Sequence, residues 1–504
     1  MEVTPSIGIR SDGDAGVGRG KRMANKRKIA LFAAGGLFAL LILAAVAMVF
    51  FVDVNAHKPR LEAAASDALG MEVRIGGRLG IGLFPGFHVT LEDVRIRNRG
   101  ADVASAKETI LGIELFPLLH KEVRIVKIWM KHPRISIEQD REGKFNFETP
   151  GEEAGKRTAE GAKETHLVLD VTKISLSDGA LFYADKKTGE VLEAGDFNLD
   201  VSRLRLTGGK NSDLLKNLSF AAEFSCKEFR KGSLAVSNLN VHIEGKDGIL
   251  DLHSVTMRLF GGQGSGSLRA DLSGSVPHYH IRYSLSGFRI EEFLKILSPK
   301  KAAEGSMDFS ASLSMQGKTA NEMRRTADGE VSLRGENLTL DGVDLDRTFS
   351  RYEASQSFNL VDVGAFFFAG PFAPLITKGY NFASLFQGSG GSSRIRALVS
   401  DWKVERGIAQ AKDVAMATNE NRIALMGSLD FADERFNDVT VAVVDGEGCA
   451  KVRQKIRGPF RKPEVEKVSV LQSVAGPVLN LFKQTKKLLG GQCEVFYAGS
   501  VAPP

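Results

Sequence analysis

The chain has 504 residues, with 67 Lys and Arg against 61 Asp and Glu, a net charge of +6 and an isoelectric point near 9.0. Arg10, Arg19, Lys21, Arg22, Lys26, Arg27 and Lys28 face only Glu2, Asp12 and Asp14 in residues 1–28, so this tail carries most of the surplus. The remainder is near neutral and mixes both signs as solvated strand faces do, which argues against a nucleic-acid partner.

Behind the basic tail, Ile29 to Val52 is uncharged, and apart from Gly35 and Gly36 it is filled by Leu, Ile, Val, Phe, Met and Ala. A helix of about 20 such residues crosses a hydrocarbon core. The cations before it hold the N-terminus in the cytoplasm and send the rest of the chain across. The run is long for a signal peptide, so residues 29–52 are expected to remain as a single-pass anchor.

Residues 53–148 open with an expected helix from Lys58 to Leu69. Pro59 suits its start, Gly70 ends it, and Leu61, Ala64, Ala65, Ala68 and Leu69 share a face. From there the hydrophobic period is two, the mark of strands. Val89 and Leu91 alternate, Glu92-Asp93 interrupts, and Val94 and Ile96 resume in the opposite phase. A polar break that flips phase signals a β-bulge or a bend. The same plan recurs at Asn198–Arg205 and Ser332–Thr339. Residues 149–165 are charged and Gly-rich and read as a linker. A β-repeat region over 166–300 and a second β region over 301–445 follow. Short helices are expected at Ile290–Leu297 and Thr319–Ala327. A longer amphipathic one, Val468–Leu489, is divided by Pro477 and falls in the closing segment 446–504. Such additive strand units predict a mainly β fold: an elongated, curved antiparallel sheet with a groove-like face, following one transmembrane helix.

Catalytic constellations are scarce. His278 and His280 share a strand face and would hold a metal only with a third ligand; surface histidines explain them as well. Gly261–Gly266 lacks the Lys-Ser/Thr of a phosphate loop and reads as a tight turn. Asp341–Asp346 lacks the Gly and Glu of a calcium loop. No enzyme activity, cofactor or metal is expected. Apolar chemistry is richer, with 31 Phe against 6 Tyr and 2 Trp. Phe366, Phe367, Phe368 and Phe372 are candidate lipid contacts, either lining a groove or buried in a two-layer core. The terminal helix, with Lys483, Lys486 and Lys487, would lie on a membrane or cap the sheet edge. Cys449 and Cys493 form a disulfide or stay as buried thiols. Their glycine neighbours favour the bridge, which would contribute ~3–4 kcal/mol in the chain-entropy model. Cys226 stands alone.

The run Leu61–Ile75, the stretch Leu83–Asn98 with Ala104–Leu119, Val123–Ile128 and His132–Ile137, and the close Gly143-Lys-Phe-Asn-Phe147 resemble the N-terminal domain of the AsmA family. Phe147 stands where that close often has Trp. Gly305–Leu345, Ile408–Thr418, Gly427–Asp430 and the tail Cys493–Pro503 resemble the family's C-terminal region. The middle, Leu167–Lys300, matches in β character alone. The resemblance implies an inner-membrane-anchored periplasmic protein of outer-membrane biogenesis, similar in architecture to TamB-type and chorein-like bridge proteins. It further implies phospholipid as cargo in an apolar β groove. The alternative is a non-catalytic assembly factor that acts on outer-membrane or other envelope proteins.

Overall fold

The computed structural model describes residues 54–84, 86–120, 122–148, 166–206, 214–297, 303–347, 349, 390–466, 469–470 and 493–504. The anchor 29–52, the linker 149–165, Phe366, Phe367, Phe368 and Phe372, and the C-terminal helix 468–489 lie outside the described residues, apart from its two-residue start at Ser469–Val470. Among the described residues no helix is long and apolar enough to cross a membrane.

The helix Lys58–Leu69 forms with Pro59 in its first turn and Gly70 in the left-handed conformation at φ 65° behind it. It runs antiparallel to the chain that follows, tied by a ladder of side-chain hydrogen bonds. Leu79 N donates to Asn55 Oδ1 at 2.9 Å, and Lys58 Nζ donates to the Gly77 carbonyl at 3.1 Å. Ile75 N donates to Glu62 Oε1 at 2.7 Å, and Val73 N to Ser66 Oγ at 2.8 Å.

Beyond the helix the strands join in one 23-stranded sheet. Strands β1 (Glu72–Ile75) and β2 (Leu79–Gly82) lie end to end on β3 (His88–Asn98), which pairs β4 (Ala101–Ile113). Strands β5 (Glu122–Lys131) and β6 (Arg134–Gln139) then share a row on β4. The middle of the sheet is β7 (His166–Asp185), β8 (Val191–Leu206), β9 (Leu218–Lys231), β10 (Leu234–Lys246), β11 (Ile249–Leu259), β12 (Gly262–Asp271) and β13 (His278–Arg289). The last part is β14 (Ala303–Glu304), β15 (Ser306–Gln316), β16 (Asp328–Asp341), β17 (Ser392–Glu405), β18 (Ile408–Ala417), β19 (Arg422–Asp430), β20 (Arg435–Val444) and β21 (Ala450–Pro459). Short β22 (Glu464–Val465) and β23 (Ser469–Val470) pair β21 at the edge.

The expectation of a wholly antiparallel sheet needs correction. β7 runs parallel to both β5 and β6, so the sheet is mixed. A parallel neighbour requires a connection long enough to return to the starting end of the sheet, and the stretch between Gln139 and His166 is long enough. Among the described residues all other pairs of named strands are antiparallel. Several turn on two-residue loops, Arg99-Gly100, Asp247-Gly248, Phe260-Gly261 and Arg406-Gly407, in which both residues have positive φ. Such turns match the strand twist, and glycine takes the second position without strain.

The phase-flipping breaks have a backbone cause. Asp93, Arg203 and Asn337, one in each of the recurring units, all have φ near +50°, at 51°, 54° and 53°. Asp178, Asp196 and Asn238 do the same in β7, β8 and β10, with register shifts beside them. Asp196 also reaches Lys227 of β9 at 3.4 Å, so this band of bulges crosses adjacent rows. Each bulge increases local twist, which curves a sheet of this width.

The helix Ile290–Leu297 buries Ile290 and Leu294, and the helix Ala320–Arg325 is capped by Thr319, whose side chain accepts from Glu322 N. The main core lies at this end. It gathers Phe288, Leu294, Met307, Leu338, Trp402, Leu429, Val439 and Ile456, and Phe436 meets Phe460 edge-on at 4.9 Å between ring centres. The opposite face of β18–β20 is a second, small-residue core of Ala415, Ala417, Ala424, Ala442 and Val444, roofed by Tyr497 and Val501 of the tail.

Candidate functional site

Antiparallel pairing places directly opposite residues on the same face, so an apolar alternation in each strand becomes a line across the sheet once registers are set. That line exists here. Ile81 of β2 stands opposite Val89, then come Leu111, Ile128, Ile174 and Val201. Beyond Val201 it continues through Ala222, Ile243, Leu252, Leu268, Ile281 and Leu313 of β15. No polar side chain interrupts it. A parallel line, Leu91, Thr109, Met130, Leu176, Leu199, Phe224 and Val241, runs beside it on the same face.

Burial along the line divides the molecule. From Ile81 to Leu313 every member except Ala222 is half-buried. Past Leu313 the same line passes Gly329 and enters Val404, Ala409, Leu429 and Phe436, all buried in the main core. Among the described residues the face is therefore half-buried over most of its length and passes at one end into the main core, where Phe431, Phe436 and Phe460 pack edge-on. The reverse face has the opposite character, with Ser175, Asp200, Glu223, His242 and Arg269 exposed or paired with one another.

Two features punctuate the apolar face. Cys226 is 2% exposed, packed with Phe197 and Ala194, and its thiol points to the carbonyls of Glu228 and Gly195. Burial raises its pKa, so it stays a neutral thiol. Tyr283 lies across β12, and added Cβ atoms at Gly264 and Gly266 would meet its ring or hydroxyl. This explains the glycine run beyond the Phe260-Gly261 turn: the strand leaves room for an aromatic ring. The Tyr283 hydroxyl is buried without a hydrogen-bond partner among the described residues, and burial raises its pKa.

His278 and His280 sit exposed on one strand face, and no group of metal-binding side chains forms among the described residues. Cys449 and Cys493 are joined as a disulfide with their Cα atoms 6.0 Å apart. It fastens the Cys493–Pro503 tail, whose family resemblance gave no hint of the packing beneath it. Phe496 N and Tyr497 N both donate to the Gly448 carbonyl, at 2.9 and 3.0 Å. Tyr497 Oη donates to Asp413 Oδ1 at 2.6 Å and accepts from Val501 N at 3.0 Å. Arg422 lies over the Tyr497 ring at 5.4 Å and donates to the Val501 carbonyl at 3.0 Å. Burial and the Asp413 hydrogen bond push the Tyr497 phenol above its usual range. Burial alone would raise the Asp413 carboxyl, but the donors from Ser500 and Tyr497 outweigh it and hold the group below the ordinary aspartate value.

The described residues thus form a broad, curved, mixed β-sheet with one apolar and one polar face along most of its length. The chain belongs to the AsmA family, whose profile matches residues 23–210 and again 209–367. The match runs through the middle region, where the sequence offered β character alone. No curated protein and no solved structure matches the chain.

Proposed function

We propose that the chain is anchored in the inner membrane by Ile29–Val52, extends into the periplasm, and holds phospholipid acyl chains along the half-buried apolar face during outer-membrane biogenesis. The observation that carries this reading is the uninterrupted line from Ile81 to Leu313. A half-buried, continuous apolar line on a soluble β surface is costly to leave in water, since each buried Å² of apolar area is worth about 25 cal/mol. Acyl chains match it in shape and chemistry.

Native mass spectrometry of the full chain extracted in mild detergent tests this, together with a photo-crosslinking residue at Ile281. Bound phospholipid and acyl adducts at Ile281 are expected. Absence of lipid, with protein adducts at Ile281 instead, would overturn lipid holding in favour of a non-catalytic factor that engages envelope proteins.

A further inference from the structure

The open end of the apolar line terminates in a cluster of exposed hydrophobic side chains. β2 ends at Gly82, and the loop that follows exposes Leu83 and Phe84, the latter 90% exposed. Ile113 N donates to the Phe87 carbonyl at 3.0 Å, which brings the end of β4 and the helix Leu115–Leu119 to the same edge. That helix exposes Leu115 and Phe116, the latter 82% exposed. Two nearly bare phenylalanines with two leucines beside them, on adjacent connections, are far from the scattered single apolar residues of an ordinary surface.

Where the chain enters the fold identifies what covers them. In the ladder between the first helix and the strands, Ser66 lies level with Val73, Glu62 with Ile75, Lys58 with Gly77 and Asn55 with Leu79. The first described residues, Val54–His57, therefore lie beside the start of β2, the strand that leads into the Phe84 loop. The uncharged run ends at Val52, three residues before Asn55. Arg78, just before β2, is exposed, and Glu114 at the end of β4 is engaged by Arg124 at 3.7 Å.

We propose that Leu83, Phe84, Leu115 and Phe116 form a tip that inserts into the lipid surface from which the anchor emerges. The tip seats Ile81, the first member of the apolar line, at the level of the headgroups, so that the open face begins inside the leaflet. This inference rests on the anchor reading of Ile29–Val52.

Tryptophan depth quenching in the full chain reconstituted into vesicles tests it, with Phe84→Trp and Phe116→Trp made separately. Val276→Trp, in the exposed turn between β12 and β13, serves as the distant control. With brominated phosphatidylglycerol and phosphatidylcholine in the bilayer, the added emission at positions 84 and 116 should fall about twofold, as expected for side chains inside the acyl boundary. Emission added at position 276 should not fall. Water-like, unquenched emission at both 84 and 116 would overturn the tip. Quenching at all three would overturn it also, because the whole sheet would then lie on the membrane. Flotation of the same vesicles in alkaline carbonate separates this from failure of the anchor: a chain that is stripped from the vesicles lacks the anchor, whereas one that floats with unquenched tryptophans has an anchor and no tip.

Discussion

Replacing Tyr497 by Phe keeps the ring that Arg422 covers at 5.4 Å and removes only the hydroxyl. Two hydrogen bonds go with it, the one donated to Asp413 at 2.6 Å and the one accepted from Val501 N at 3.0 Å. Loss of a bond to a charged partner costs about 1.5–3 kcal/mol, and a buried amide left without an acceptor costs about 1–3 kcal/mol. Asp413 retains the Ser500 amide on its other oxygen at 2.9 Å, so the combined loss should sit near ~3 kcal/mol, below the sum of the upper limits. Each ~1.4 kcal/mol is a tenfold change in an equilibrium. Opening of the tail should therefore become on the order of a hundredfold more frequent. Hydrogen exchange at the Phe496 and Tyr497 amides, followed by mass spectrometry on the oxidised full chain, reads this opening directly. Peptides from β15 to β17 supply the internal reference. Unchanged protection in the tail would refute the assignment of its stability to the hydroxyl.

The same tail should respond to acid. Asp413 titrates below the ordinary aspartate range when folded, so its contribution is present above the unfolded pKa of about 3.9 and is lost as pH falls through the folded value. Tail exchange should accelerate in that window, and Asp413→Asn should abolish the dependence. Reduction of Cys449–Cys493, or their joint replacement by Ser, opens a loop with a sequence separation of 44 and should cost about 3–4 kcal/mol, visible as lost tail protection and a lower melting temperature. Phe460→Ala, at a side chain 2% exposed between Phe431 and Phe436, should destabilise the main core by about 3–5 kcal/mol in denaturant titration. A loss below ~1 kcal/mol there would mean that the aromatic cluster is looser than its packing indicates.

Much of this architecture was legible because its causes are local. Pro59 and Gly70 frame the first helix, and Thr319 caps the helix Ala320–Arg325, through backbone preferences that a few residues settle. The polar breaks at Asp93 and Asn337 betrayed their bulges for the same reason, since Asp and Asn tolerate the left-handed region. What stayed hidden depends on pairing at a distance. The parallel entry of β7 beside β5 follows from how a non-periodic connection travels, which alternation in either strand does not encode. The apolar line was visible one strand at a time, but the alignment of Val201 with Ala222 and Ile243 emerges only from register. Tyr497 and Asp413 are 84 positions apart, and the alanines beneath that tail carry no pattern that distinguishes a covered face from an ordinary strand. The clearest expectation from Phe content, at Phe366–Phe372, falls outside the described residues, while half-buried Leu and Ile supply the apolar line instead.

On the proposed lipid-holding reading, the buried end of that line sets a capacity. From β2 to β15 the rows lie ~4.8 Å apart, so the open stretch is on the order of 50 Å long. One leaflet's worth of acyl chain is about 15 Å, half of a ~30 Å hydrocarbon core. Roughly three chains laid end to end would, on this reading, fill the stretch before the line runs into the buried Val404 row of the main core. With the face buried past Leu313, lipid so held would enter and leave from the Ile81 end or sideways across the half-buried strands, not through the main core.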